Sequence, residues 1–595
     1  MDHSATPHEP VSTSSTHQGT AVFGNGRIEP GGRTFVWSVF VLMIIVDLLY
    51  VTKYTPRVPA FDDYEMVPSY TGERKLTIEW LWSLSNEHRV FLPRLIHIVN
   101  FRLSGGDFRV STYVSLASLV LAAAFLIHVA GRRRGYLRHA DAFFPLIVLG
   151  LGQWSNLIWA WQVVQIAPPA IACILLGLIM LRQDWPTARK TVPFAFGLTL
   201  LPLLSGTGLI LSLPLLGWLL ISALANWSSG KRLQGALILS FSLPATALIL
   251  LYFKGYKRPS YIPQPGAPYE IFKTVVQFLT IGFGSSAKMF WPSMGLLTLG
   301  VVGLSVLVLM VVILRIPSER PRAIGLLTFL GACGALALAV GINRSGFGYY
   351  AGLAERYVSP AVPILCWAYF VWDLYGPGVT RPLVPLGLFL ATILLFMPNL
   401  RDAREGGRGT RDVFAEYEKD IREGPYVYQI ARRYSALILG GGDPTSYLEA
   451  LQRARIRPFD RLQKNPVFRE VTIPVVPSAT EDASWDETTK TIEFEGRDSR
   501  VTFTLPEAMR LAGIRLNYSL EGSPGCGSHF VISWRPTEND AYSSERALKD
   551  YSVRIGIGQN LRTTFWVDDT IRQFRIVQDK YPCKFQINSI TLLVP

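Results

Sequence analysis

The sequence predicts a polytopic α-helical membrane protein of about eleven spans, followed by a C-terminal β-sandwich of the jelly-roll kind. Three observations predict it. Long uninterrupted apolar runs fill the chain from Thr34 to Asn399, whereas residues 1–33 and 400–595 read as ordinary polar sequence. Only 17% of the 595 residues are charged while 49% are hydrophobic, a combination that soluble chains of this length rarely show. Beyond about residue 470 apolar and polar residues alternate at period two.

The elements follow in order. Residues 1–33, rich in Ser, Thr, Pro, His and Gly, have no pattern that could build a core and are expected as a disordered cytoplasmic tail. The first apolar run starts too late, and is too long, for a cleaved signal, so it reads as a retained span. A crossing needs roughly 20 apolar residues. Spans are expected at about 34–52, 111–131, 141–157, 165–182, 191–205, 208–226, 234–253, 290–315, 323–342, 357–375 and 382–398. The third and fifth are short. The stretch IFKTVVQFLTIGFGSS reads as a re-entrant or interfacial helix.

A formal charge of +14 does not indicate a nucleic-acid partner, because many of the cations sit in short connections between apolar runs. Arg132, Arg133, Arg134 and Arg138 follow the second span. Arg182, Arg189 and Lys190, then Lys231 and Arg232, then Arg315, Arg320 and Arg322 occupy later even-numbered exits. The positive-inside rule puts these and the N-terminus in the cytoplasm, in a bacterial inner membrane, although Lys254, Lys257 and Arg258 break the trend. An odd span count then puts residues 400–595 outside. Cys173, Cys333 and Cys366 fall in apolar runs as core residues, while Cys526 and Cys583 fit either an extracytoplasmic disulfide or two buried thiols.

On this topology three outer segments hold the candidate chemistry. The loop 53–110 carries Asp62 and Asp63 directly after a Pro/aromatic stretch, with Glu87, His88, Arg89 and Arg94 further along. Adjacent acids need a compensating cation or substrate, and these groups supply a base and anion-binding donors; the competing reading is a solvated turn. Trp80, Leu81, Leu84, His88 and Phe91 suggest one surface-lying helix. The second segment, GQWSNLIWAWQ, offers Gln153, Trp159 and Gln162 to a sugar, with an interfacial aromatic belt as the stronger alternative for its tryptophans. The third, NRSGFGYYAGLAERYVSP, sets Arg344, Glu355 and Arg356 at head-group depth, suited to a lipid-linked phosphate or to snorkelling anchors.

The FDDYE motif in the first outer loop, together with NEHRVFLPRL and AERY, resembles the C-type (GT-C) superfamily of polyprenyl-phosphate-sugar-dependent membrane glycosyltransferases over roughly residues 34–400. The resemblance implies a GT-C-like fold and transfer of a sugar from a polyprenyl-phosphate donor to a glycan, lipid or protein acceptor at the outer face. It implies an acidic first-loop residue as general base, at Asp62 or Asp63. No metal-binding motif of the oligosaccharyltransferase kind is matched, so a divalent metal is left open.

Residues 400–469 read as a helical connector with helices in RDVFAEYEKDIREG, YVYQIARRYSALIL and SYLEALQRARI. In 470–595, Ile514, Leu516, Tyr518 and Leu520 alternate with polar partners, as do Phe530, Ile532 and Trp534, and Ile571, Phe574 and Ile576 continue the apolar set. Trp534 and Trp566 are sugar-platform candidates, with core packing favoured for Trp534. No Walker-type loop, zinc spacing or Ser-His-Asp signature occurs. Two other classes compete: a lipid-linked polysaccharide polymerase or ligase, and a transporter or scaffold. Ion-coupled transport would call for ionisable residues inside spans, where Asp47 is the main example.

Overall fold

The computed structural model describes residues 31–256, 262–440, 442–495, 498–522, 530–550, 558–578 and 582–595. The helical body consists of α1 (Gly32–Tyr54), α2 (Phe91–Leu103), α3 (Val110–Arg134), α4 (Val163–Met180), α5 (Ala188–Leu204), α6 (Gly206–Ser228) and α7 (Arg232–Phe253). It continues with α8 (Pro268–Ile281), α9 (Ser293–Arg315), α10 (Arg320–Arg344), α11 (Val358–Tyr375) and α12 (Thr380–Arg422), then α13 (Val427–Leu439) and α14 (Thr445–Arg453). Among the described residues, nine helices are long and apolar enough to cross a membrane: α1, α3, α4, α6, α7 and α9 through α12.

The two short expected spans behave differently from the nine. The fifth is α5, a helix of 17 residues that carries Pro193 and Pro202. The third is a broken helix, which corrects the continuous span expected at 141–157. An α-turn at Phe143–Val148 gives way to a 3-10 turn at Leu151–Gln153 and another short helix at Trp154–Leu157. At the break Gly152 packs against Gly284, where a Cβ would lie 2.5 Å from the Gly284 Cα. Gln153 mends the loss by donating to the Val148 carbonyl at 2.6 Å and accepting from Ser359 Oγ at 2.6 Å. Irregular backbone at membrane depth persists only where such partners exist.

One end of the bundle is pinned by a buried ion cluster. Arg134 pairs with Asp141 and with Asp373 (2.5 Å), Arg138 reaches Asp373 at 3.2 Å, and Tyr369 donates to Asp141 at 2.7 Å. At this end lie the Arg-rich connections. The opposite end carries the long loop 55–109, the turns before and after α8, and the segment 345–357. The 14-residue α8 is too short to cross alone, and it buries Lys273, Thr274 and Gln277 against its neighbours.

The boundary expected at 399/400 falls inside a single helix. α12 runs for 43 residues, about 65 Å at 1.5 Å per residue, so it leaves the bundle without interruption and carries the C-terminal part on its end. The run Gly406-Gly407 is a close-packing face. A Cβ at Gly407 would lie 2.8 Å from the Tyr50 hydroxyl, and one at Gly406 would meet the Trp154 ring at 2.3 Å.

Beyond α14 the chain forms an antiparallel nine-stranded sheet. Its two long strands, Ser499–Gly522 and Gly558–Gln578, pair over their whole length with register shifts at Trp566/Asp569 and Ile571/Gln573. Such bulges bend strands. The Ser499–Gly522 strand pairs through residues 513–522 with Cys583–Val594, and the Gly558–Gln578 strand pairs through residues 573–578 with Phe530–Arg535. The two layers so formed enclose Ile514, Leu516, Tyr518, Leu520, Phe530, Ile532, Trp534, Ile571, Phe574 and Ile576, the alternating set read from the sequence. Trp534 is core, donating to Asp569 at 3.0 Å. Trp566 is buried where the sheet meets the connector and donates to Asp443 (3.0 Å) and Thr445 (2.8 Å), so neither indole is a sugar platform. Cys583 is disulfide-bonded, Cys526 lies outside the described residues, and Cys173, Cys333 and Cys366 are free and buried.

Candidate active site

The long loop is not the single surface helix expected from its apolar spacing. It is a 3-10 helix at Phe61–Met66, a turn of helix at Val67–Tyr70, another at Ile78–Trp82, a hairpin pairing Leu84–Ser85 with His88–Arg89, and then α2. Thr77 caps the short helix by accepting from the Trp80 amide at 3.2 Å. Asn86 turns the hairpin with φ 52°, a conformation its side chain tolerates better than most.

Two arginines expected to bind an anion instead hold this loop together. Arg94 is buried and donates to the carbonyls of Trp80 (2.5 Å) and Ser83 (2.9 Å), to Ser83 Oγ (3.0 Å) and to Glu65, with its guanidinium 4.8 Å over the Trp80 ring. Ser85 donates to the same Glu65. Arg89, also buried, donates to the carbonyls of Trp82 (2.6 Å), Tyr252 (2.9 Å) and Lys254 (2.5 Å), which fastens the hairpin to the end of α7. Every nitrogen of the Arg89 guanidinium donates, and Arg94 keeps only its buried Nε unpartnered, so neither group is presented to a phosphate. Their charge is legible in the sequence, but the carbonyls that receive it are not.

The acids stand at the other side of the Glu65 tie. Phe61 adopts φ 47°, strained for a non-glycine residue, with its ring 4.5 Å from that of Trp159. Asp62 is half-buried. Asp63 is buried; its Oδ2 accepts from the Ala60 amide at 3.1 Å, and its Oδ1 has no hydrogen-bond partner among the described residues. Burial pushes the Asp63 carboxyl up to about 7, opposed by the Ala60 amide and reinforced by the Asp62 charge. Tyr64 bonds Tyr417 at 2.6 Å, anchoring the acidic helix to α12. Nearby, His97 stacks on Trp161 at 5.3 Å, and burial lowers its imidazole to about 3, so it stays neutral.

The hairpin tip faces the end of α10. Arg344 pairs with Glu87, and His88 Nε2 lies 3.7 Å from the same carboxylate. Burial holds His88 below its ordinary value; Glu87 opposes this, and Arg344 and Arg356 add to it. Gly206 is required here, since a Cβ would lie 2.5 Å from His88 Nδ1. Below these groups a cavity of about 230 Å³ runs between α6, α7 and α10. Leu209, Leu213, Leu336 and Phe253 wall it, and Leu213 and Phe253 are exposed on the bundle's outer side. The cavity therefore has an apolar body and a charged mouth.

The remaining candidates divide. Arg356 is exposed, 5.3 Å from the Tyr357 ring centroid, with no ion pair among the described residues. Glu355 accepts from Lys288 at 3.4 Å, and Lys288 lies 3.9 Å from Asp402. Gln153 is spent on Val148 and Ser359 and is not exposed to a ligand, which corrects its assignment to sugar binding. Gln162 is buried with an unpartnered Oε1, and Trp159 is half-buried against Phe61. Glu65, Lys288, Asp402 and Tyr252 belong to the site's framework and were not singled out by sequence. Glu65 alone had a signal, as the last letter of FDDYE. Among the described residues no three His, Cys, Asp or Glu side chains come together to hold a metal ion.

No family model and no curated protein matches the chain. Among solved structures, ArnT from Cupriavidus metallidurans in the apo state aligns at 15% identity and TM-score 0.38, covering 72% of this chain and 90% of that one. The same protein bound to undecaprenyl phosphate aligns at 13% identity and TM-score 0.34, covering 65% and 75%. Arabinosyltransferase EmbB from Mycobacterium smegmatis aligns at 12% identity and TM-score 0.30, covering 97% and 66%. At these scores the likeness decides nothing about the reaction, which has to be read from this chain's own residues.

Proposed function

We propose that the protein is a membrane glycosyltransferase that moves a sugar from a polyprenyl-phosphate donor to a glycan, lipid or protein acceptor. One observation carries the reading: the apolar cavity between α6, α7 and α10 opens sideways past Leu213 and Phe253 and ends at Arg344, Glu87 and His88. A lipid tail fits the walls, and its phosphate reaches the cations at head-group depth. The Arg-rich connections lie at the opposite end of the bundle, so the positive-inside rule supports the site's facing outward in a bacterial inner membrane.

In this reading Asp63 is the general base. Its carboxyl near 7 suits proton transfer at neutral pH. The acceptor hydroxyl gives its proton to Asp63 and its oxygen attacks the anomeric carbon. The bond from that carbon to the phosphate oxygen breaks, and polyprenyl phosphate leaves with its electron pair. Arg344 and Arg356 stabilise the leaving charge, so no protein acid is needed. Asp62, beside the base, raises its proton affinity.

The test is turnover of radiolabelled polyprenyl-phosphate sugars by the purified protein, with free polyprenyl phosphate as the readout. Release that falls about 100-fold or more in Arg344→Ala and in Asp63→Asn supports the reading. Absence of release from every donor, in folded and membrane-inserted protein, sinks it and favours a polymerase acting on longer chains or a scaffold.

A further inference from the structure

A second groove, of about 590 Å³, lies on the far side of the acidic helix, between the long loop and the connector. It is lined by Arg102 near the end of α2 and by Arg455 and Arg457 just beyond α14. All three arginines are exposed, and no guanidinium among them has an ion-pair or hydrogen-bond partner among the described residues. None of the described residues lining the groove is acidic. The surroundings behave otherwise: Arg453 pairs with Glu73 (2.5 Å) and Glu449 (3.6 Å), and Arg109 with Asp107 (2.7 Å). Three unneutralised cations around one concavity raise the local concentration of anions.

Two further observations point to a ligand there. Ser69, only 6% exposed, lines the groove and its Oγ has no hydrogen-bond partner, a state that buried hydroxyls rarely keep. Tyr70 and Phe101 also line it, stacked with centroids 4.0 Å apart, which offers an apolar platform of the kind a sugar ring covers. Arg455 adopts φ 54° after the helix end, where glycine would be free of strain, yet the position carries a guanidinium.

We propose that this groove binds a carbohydrate bearing a phosphate or carboxylate, the arginines and Ser69 taking the oxyanion and the Tyr70–Phe101 pair the sugar face. The ligand's role as acceptor rests on the transferase reading; its charge and class rest on the groove alone. Bidentate recognition by guanidinium groups suits both oxyanions. The volume lies within the range of small-molecule sites.

Calorimetric titration of the purified full-length protein with glucose 6-phosphate, glucuronate and glucose tests this. The two anionic sugars should bind, more weakly at high salt, and glucose about tenfold or more weaker. The triple variant Arg102→Gln/Arg455→Gln/Arg457→Gln should lose about tenfold or more, and Ser69→Ala severalfold. Arg102→Gln alone serves if the triple variant does not fold. Failure of both anionic sugars to bind, equal binding of glucose, or affinity untouched by the arginine variants overturns the proposal. Donor turnover is measured separately: binding without turnover upholds the groove and sinks the transferase reading, whereas turnover without binding sinks the groove alone.

Discussion

Asp63 makes the sharpest prediction, because its environment sets a stability effect and a catalytic effect of opposite sign. Its carboxyl is raised from 3.8 to about 7 by burial. Between those values the folded state holds a proton that the unfolded state has released, so stability falls as pH rises from about 4 to 7 and then levels off. The penalty is about 2 kcal/mol at pH 5 and about 4 kcal/mol at pH 8, at 1.36 kcal/mol per pH unit. Asp63→Asn removes the titration. It can still accept from the Ala60 amide, at a pH-independent cost of about 1–3 kcal/mol for an unpartnered amide. The variant should therefore gain on wild type by about 2.5 kcal/mol between pH 5 and pH 8 while losing transfer activity. Thermal unfolding in detergent at the two pH values reads the first effect, and donor turnover the second. A Tm difference that does not change with pH would refute the burial argument. Retained turnover would refute the base assignment.

Three further outcomes follow from the framework. Arg94→Ala leaves Glu65 partly buried without its cation and strips the Trp80 and Ser83 carbonyls of their donor, so it should destabilise by about 3–5 kcal/mol, seen as early proteolysis of the loop 55–109. Gly206→Ala drives a methyl into His88, and the donor KM should rise about tenfold with little change in Tm, read by steady-state kinetics. Cys583→Ser should lower the stability of the sheet domain by about 2–5 kcal/mol, measured by comparing its unfolding with and without reductant.

Much of the architecture was legible because its cause is local. The nine helices among the described residues that are long and apolar enough to cross a membrane, and the alternating core of the sheet, follow from hydropathy and period, which each segment carries in itself. What escaped depends on partners distant in sequence. The segment 141–157 is apolar enough for a span, and the Gly284 backbone that packs on it at Gly152 lies 132 residues further along the chain. The need for glycine at 406 and 407 shows only when Trp154 and Tyr50 are set against them. The same holds at the site. Sequence named Asp62 and Asp63 together, but burial separates them: Asp63 is turned inward onto the Ala60 amide and Asp62 is not. It named six arginines and glutamates by charge alone, whereas the fold spends Arg89 and Arg94 on carbonyls, sets Arg344 at the cavity end and leaves Arg356 exposed beside the Tyr357 ring.

The acidic helix lies between the apolar cavity with its charged mouth and the arginine-lined groove, and under the proposed function this arrangement would separate the substrates. Through Glu65 and Ser85 it is tied to the hairpin whose tip meets Arg344 above an apolar cavity open toward lipid. Through Val67–Tyr70 it continues directly into the wall of the groove that Arg102, Arg455 and Arg457 line. A lipid-linked donor and a water-borne acceptor would then approach the base from opposite sides, without sharing a cation. The kinetic consequence is specific. Arg344→Gln should raise the donor KM and leave the acceptor KM unchanged, and Arg102→Gln should do the reverse, each by about tenfold. A double variant should show the product of the two effects, because separated sites with no shared partner combine additively in free energy. If either single variant moves both constants together, the grooves are one site, and the helix that carries Asp63 does not divide them.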